Sequence, residues 1–168
     1  MVDFRHPANS EVSTLKVEGT YTFKADQSSV WEAMQSPEML AACLTGCESF
    51  NEVAPDTYEV VLKVKVAAVS GTYTGRVTIV DRISPDSYKM VVEGKGRAGT
   101  VRGEGTLNFS VADGETLVHV SGDAQVSGII ARVGQRLMGS ASKMLMNQFF
   151  SCLKSKIEVE QGTAESSD

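Results

Sequence analysis

The sequence is poor in the residues from which catalytic and metal sites are usually built: two histidines, three cysteines and one tryptophan in 168 residues. His6 lies in a polar stretch near the N-terminus. His119 alternates with Leu117, Ser121 and Asp123 and lies opposite the face of Val118 and Val120, the position of a solvent-facing strand residue. Neither histidine has a nucleophile and an orienting carboxylate beside it in the pattern, so acyl-transfer chemistry lacks its parts. Cys43, Cys47 and Cys152 are too few and too irregular for a disulfide framework, and no histidine completes a metal site near the first two. They read as small buried thiols, with a redox or metal role as the alternative. Glu59, Glu93 and Glu104 alternate with apolar neighbours, which leaves no inward carboxylate pair for general acid–base work.

Long apolar runs are missing too. None approaches the roughly 18 residues of a membrane-spanning helix. Met1 to Thr14 has no apolar h-region of a secretory signal, so a cytoplasmic location is the default expectation. A basic surplus is absent as well: the net charge of −5 excludes general affinity for nucleic acid, which needs a positive surface. One segment departs from this balance. Between Ile129 and Ile157 stand Arg132, Arg136, Lys143, Lys154 and Lys156, with no acidic residue.

What is present suits one domain with its own core. The expected organisation is a leader at 1–13, a single domain at 14–157 and a polar tail at 158–168. Leu15 to Lys24 alternates as a first strand. Val30 to Met34 and then Pro37 to Cys43 form two short helices, the second opened by Ser36 as cap, Pro37 in the first turn and the acid Glu38. Six further strands follow. Tyr58, Leu62, Val64, Tyr73, Val77, Tyr88, Met90 and Phe109 fall on their inward faces, and Asp113-Gly114 marks a tight hairpin. The loose G-x-G-x-x-G of Gly94 to Gly99 lies between strands and opens no helix, so it fails as a phosphate cradle. With Gly103 and Gly105 it instead lets the sheet bend and keeps its inner face free of side chains.

After Gly128 the period changes to that of one amphipathic helix, 129–157, with Ile130, Val133, Leu137, Ala141, Met144, Leu145, Gln148 and Cys152 on one arc. Strands joined by short turns are antiparallel, and their twisted sheet needs one face covered. The predicted fold is therefore α+β: a curved antiparallel sheet of about seven strands wrapped on a long C-terminal helix, the helix-grip architecture.

The same order of elements, with several local motifs, resembles the family of the carbon monoxide dehydrogenase G subunit, within the START-like (SRPBCC) superfamily. The residues that carry the likeness are Val30-Trp31, Ser36-Pro37-Glu38 with Leu40 and Cys43, Thr45-Gly46-Cys47-Glu48, Tyr73-Thr74-Gly75 and Gly94-Lys95-Gly96. It continues through Gly99, Gly103, Leu107, Gly128, Gly134 and Gln148-Phe149-Phe150. The family commonly has Pro-Gly where this chain has Thr45-Gly46. The resemblance implies an accessory protein beside a carbon monoxide dehydrogenase-type molybdenum hydroxylase, with the molybdenum, flavin and iron–sulfur chemistry in that partner. This chain is expected to hold no cofactor of its own.

The expected ligand-lining set is Trp31, Leu40, Leu62, Val64, Tyr73, Val77, Tyr88, Met90, Phe109, Leu137, Ala141, Met144, Leu145 and Gln148. It would surround a hydrophobic, quinone- or lipid-like molecule, with Tyr73, Tyr88 and Gln148 as its polar groups. An ordinary packed core is the competing expectation from the same residues. Arg132, Arg136, Lys143 and Lys154 form a basic stripe on the other face of the helix. Phe150 and Leu153, with Met146 and Ile157, are apolar outside the core arc and are expected to dock a partner protein, a second copy or the inner membrane surface. Two other functions are carried alongside: a polyketide-cyclase-like enzyme using Tyr73 or Tyr88, and an assembly factor with a filled core.

Overall fold

The computed structural model describes residues 12–166. The chain opens with β1 (Val12–Phe23), then α1 (Gln27–Met34) and α2 (Pro37–Cys43). The strands β2 (Cys47–Ala54), β3 (Thr57–Val64), β4 (Gly71–Ile83), β5 (Ser87–Gly96), β6 (Gly99–Ala112) and β7 (Glu115–Ser127) follow. A short α3 (Ile129–Arg132) and the long α4 (Gln135–Ser166) close the chain. One seven-stranded sheet runs in the order β1-β7-β6-β5-β4-β3-β2, every neighbouring pair antiparallel. The expected leader lies outside the described residues except for its last two positions, which belong to β1. The helix runs on to Ser166, through most of the segment expected as a tail.

Local chemistry accounts for the joints. At the start of α2, Ser36 accepts a hydrogen bond from the Met39 amide and Pro37 occupies the first turn, where a missing N–H costs nothing. Asp113 and Gly114 both take positive φ, 55° and 79°, as the two-residue turn between β6 and β7 requires. Gly134, at φ 93°, breaks the C-terminal helix in two. The left-handed conformation cannot continue a helix, and only glycine enters it without strain.

That break corrects the helical phase. Counting 100° per residue from Ile130 through Gly134 carries an error into α4. The buried face of α4 is Met138, Ala141, Phe150, Leu153 and Ile157. Met144, expected inside, is 40% exposed. Phe150 and Leu153, expected in an exposed docking patch, are buried, Leu153 completely, and Ile157 joins them in the core. Phe150 stacks on Tyr21 of β1 with ring centroids 4.1 Å apart. The basic residues keep their expected exposure: Arg132, Arg136, Lys143 and Lys154 all reach solvent, although Arg132 stands on the separate α3.

The cysteines are a second correction. Cys43, at the end of α2, and Cys152, in α4, form a disulfide and are not free thiols; only Cys47 is unbonded. Their separation of 109 residues gives no local signal, and it is the packing of α2 against α4 that brings their Cα atoms to 5.4 Å.

Candidate functional site

The buried core is divided. One cluster joins Phe23, Trp31, Tyr88, Phe109, Phe150 and Leu153, with Met90 and Ile79 at its edge. Trp31 sits edge-on to Tyr88 and Phe109, at 5.6 and 5.1 Å between centroids. A second, smaller cluster joins Val69, Ala98, Val126, Ile130 and Met138, with Val64 and Tyr73 packed against it. Strand register places two rows of inward residues between them. One runs Ile79–Met90–Gly105–Gly122–Val17 and the other Val77–Val92–Gly103–Ala124–Leu15.

In the middle of these rows three positions, Gly103, Gly105 and Gly122, carry no side chain. A Cβ at Gly103 would stand 2.4 Å from the Asp123 carbonyl oxygen, and one at Gly122 would stand 2.6 Å from that of Glu104. Glycine is needed there for the strands to approach as closely as the curl demands. Gly105 differs, as does Gly94 in the adjoining row Gly75–Gly94–Val101–Val126, which runs into the second cluster. A Cβ at Gly105 would meet only Ser121 O at 3.4 Å and Gly122 Cα at 4.0 Å. At Gly94 the nearest atoms are Thr74 O at 3.8 Å and Gly75 Cα at 4.0 Å. All are neighbouring backbone, and no atom of α4 or of any side chain comes that close. Around this floor the inward apolar residues Leu62, Val77, Val92, Leu137 and Leu145 are only half-buried. Ala141 of α4 is buried above them.

The expected lining residues therefore sort into three groups. Val77 lies in one of the two rows, Leu62 pairs with Tyr73 beside the second cluster, and Leu137, Ala141 and Leu145 stand on α4 in neither cluster. Trp31, Tyr88, Phe109 and Met90 pack into the first cluster, and Val64 and Tyr73 into the second. Leu40 is half-buried on α2. Met144 and Gln148 stand on the outer side of α4, where Gln148 Oε1 accepts a hydrogen bond of 3.0 Å from Thr45 Oγ1. Sequence reasoning missed Val92, Ala124 and Gly122 as partners of the glycine run. Their alternation was visible, but only strand pairing puts them in one row.

The polar groups are tied down. Tyr73 donates to the Val69 carbonyl at 2.6 Å, Tyr21 donates to Asn147 Oδ1 of α4 at 2.9 Å, and Tyr88 is 2% exposed. Desolvation on burial pushes the phenols of Tyr21, Tyr58, Tyr73 and Tyr88 upward, Tyr88 furthest. A raised phenol is stable as the neutral form, so the stabilisation is complete below the unfolded value of about 10 and is lost as pH rises beyond it. Tyrosinate absorbance of the folded protein is accordingly expected to rise at higher pH than that of urea-unfolded protein. Tyr88→Phe should shrink that lag; superimposable titration curves would contradict the burial of these rings. The Tyr73 hydroxyl is already engaged by the Val69 carbonyl, and that of Tyr88 belongs to a ring enclosed in the first cluster.

Two other features can be placed. Thr20, His119 and Glu18 line up on the outer face, with Thr20 Oγ1 2.9 Å from Nδ1 and Glu18 3.4 Å from Nε2, but the histidine and carboxylate are 41% and 71% exposed and enclose no pocket. A groove of about 740 Å³ also lies on the outer face. Its walls include the cross-strand series Glu59–Arg76–Glu93–Arg102, paired at 2.9 Å within Glu59–Arg76 and Glu93–Arg102. Paired, solvated charges on an open groove are ordinary sheet surface. Among the described residues no cluster of potential metal ligands occurs, and no helix is long and apolar enough to cross a membrane.

A curved seven-stranded antiparallel sheet closed by a long C-terminal helix, with two short helices after the first strand, defines a START-like helix-grip protein. The chain superposes on a START superfamily protein from Mycobacterium smegmatis (TM-score 0.65, 12% identity, 85% of this chain and 97% of that one). It also superposes on the Zhui aromatase/cyclase from Streptomyces sp. R1128 (TM-score 0.64, 17% identity, 87% and 94%). A conserved protein from Geobacillus kaustophilus is more similar, with TM-score 0.83 and 31% identity over 86% of this chain and 95% of that one. The family model of the carbon monoxide dehydrogenase G subunit (CoxG) matches residues 19–158, and the chain belongs to that family. No curated protein matches the sequence.

Proposed function

We propose that the glycine-floored space between the two core clusters is a hydrophobic cavity. In this reading the protein is an accessory factor that carries a quinone- or lipid-like molecule in it. The observation that carries this is the division of the core. A packed domain gains about 25 cal/mol for each Å² of apolar surface removed from water, yet Leu62, Val77, Val92, Leu137 and Leu145 are left half-buried, and Gly103, Gly105 and Gly122 add no side chain to the inner face. An apolar guest would complete the burial that the fold leaves undone. Membership of the CoxG family favours a molybdenum hydroxylase of the carbon monoxide dehydrogenase type as the protein served. Such an oxidase must pass electrons onward, which favours a quinone-like guest. The exposed stripe of Arg136, Lys143 and Lys154, with Arg132 on α3, is the surface suited to an acidic partner or an anionic membrane face.

Trp31 is the sole tryptophan and packs on Tyr88 and Phe109 at the first cluster, so it reports on a guest arriving beside that cluster. Titration with a short-chain quinone such as decyl-ubiquinone is expected to quench Trp31 saturably, with one molecule bound per chain. Quenching that grows linearly without saturation would count against a defined site.

A further inference from the structure

Cys43 and Cys152 tie α2 to α4 across the side of the molecule where the sheet ends. α2 packs on both α4 and β2, and β2 is the edge strand of the sheet. It therefore spans from the C-terminal helix to the free edge. α2 also places Cys43 in the first core cluster with Met39 packed against it, and the loop that follows adds two hydrogen bonds. Thr45 Oγ1 donates to Gln148 Oε1 at 3.0 Å, and the Gly46 carbonyl accepts from the Lys63 amide at 2.8 Å. The disulfide is the one covalent bond between α2 and α4. Its two sulfurs differ in access: Cys43 is 3% exposed, whereas Cys152 is partly exposed.

We propose that the Cys43–Cys152 disulfide is a redox-sensitive latch that holds α2 between the C-terminal helix and the sheet edge, so that reduction loosens α2 and quickens ligand exchange. The second half of the proposal rests on the cavity reading above; the first half does not. The reductant is a small thiol such as glutathione or a dithiol protein. Its thiolate attacks the accessible Cys152 sulfur, the S–S bond breaks, and Cys43 leaves as a thiolate that takes up a proton. A second reductant thiolate then displaces Cys152 from the mixed disulfide. The protein gains two electrons and two protons, and the reductant becomes a disulfide. Cys47 stands outside this exchange. Its thiol donates to the Ser49 carbonyl at 3.4 Å, and burial raises it away from the reactive thiolate.

The test uses the full chain, air-oxidised and then treated with a phosphine reductant. Thiol counting should give one free thiol before reduction and three after. Amide exchange across residues 37–47 should then become about tenfold faster or more while β6 and β7 stay protected, and decyl-ubiquinone should dissociate faster by a similar factor. Cys152→Ser should behave as the reduced protein and ignore the reductant, and Cys47→Ser should behave as the parent. Equal exchange of α2 in the oxidised and reduced forms, or three free thiols in the air-oxidised protein, would overturn the latch. Faster α2 exchange on reduction with no quinone uptake in either form would uphold the latch and overturn the cavity reading.

Discussion

Gly105→Leu is expected to fold as the parent does and to bind a short-chain quinone at least tenfold more weakly. A Cβ at Gly105 meets only Ser121 O at 3.4 Å and Gly122 Cα at 4.0 Å, ordinary contact distances. The rest of the leucine would project over the inner face, beside Met90 at the edge of the first cluster. Strand residues with side chains also lose less backbone entropy on folding than glycine, so the exchange is not intrinsically destabilising. The added group would displace three or four methylenes of a guest. At about 0.8 kcal/mol each this is roughly 2–3 kcal/mol, or about 30- to 150-fold in affinity. Gly94→Leu, with still more room, should act in the same direction. The control is Gly103→Ala, which adds a single carbon 2.4 Å from the Asp123 carbonyl oxygen. It must move a strand and should cost about 1–3 kcal/mol of stability. A thermal melt and a quinone titration on the three variants separate a filled site from a damaged fold. Parent-like affinity in Gly105→Leu would refute the placement of the site.

The second large effect lies in α4. Leu153→Ala should cost about 2–5 kcal/mol, because the side chain is fully buried and its removal leaves a void between α4, β1 and α1. For a domain of this size that lowers the melting temperature by on the order of 10 °C. Met144→Ala, one of the positions expected from periodicity to be internal, should change stability by no more than about 0.5 kcal/mol. Urea unfolding of the two variants tests the phase of the helix directly, since a continuous helix from Ile130 demands the reverse ranking.

That reversal shows where the sequence is readable. The strands were legible because a period of two survives small errors in their ends. Tyr58 to Val64 and Phe109 to Val126 keep their inward sets whichever residue begins the strand. Helical phase is less forgiving. Gly134 interrupts it with a left-handed residue, and α4 has apolar residues on more than one side, so Met144 and Leu153 could not be ranked from the wheel. The Cys43–Cys152 bond was illegible because only the folded packing of α2 on α4 joins positions 109 residues apart. The site was half legible. The run Gly94 to Gly105 announced an inner face without side chains, but register alone reveals that Gly122 and Ala124 extend it across β7.

The same register keeps the two core clusters apart. The aromatic cluster at one end and the Ile130–Met138 cluster at the other hold sheet and helix together.

Native mass spectrometry of the protein purified from its own host, followed by organic extraction, tests the central claim most directly. One hydrophobic molecule per chain, lost on denaturation and absent from Gly105→Leu, is the predicted result. A protein that arrives empty, and stays empty when offered quinone or lipid, would contradict the carrier account and leave an assembly factor with a filled core in its place.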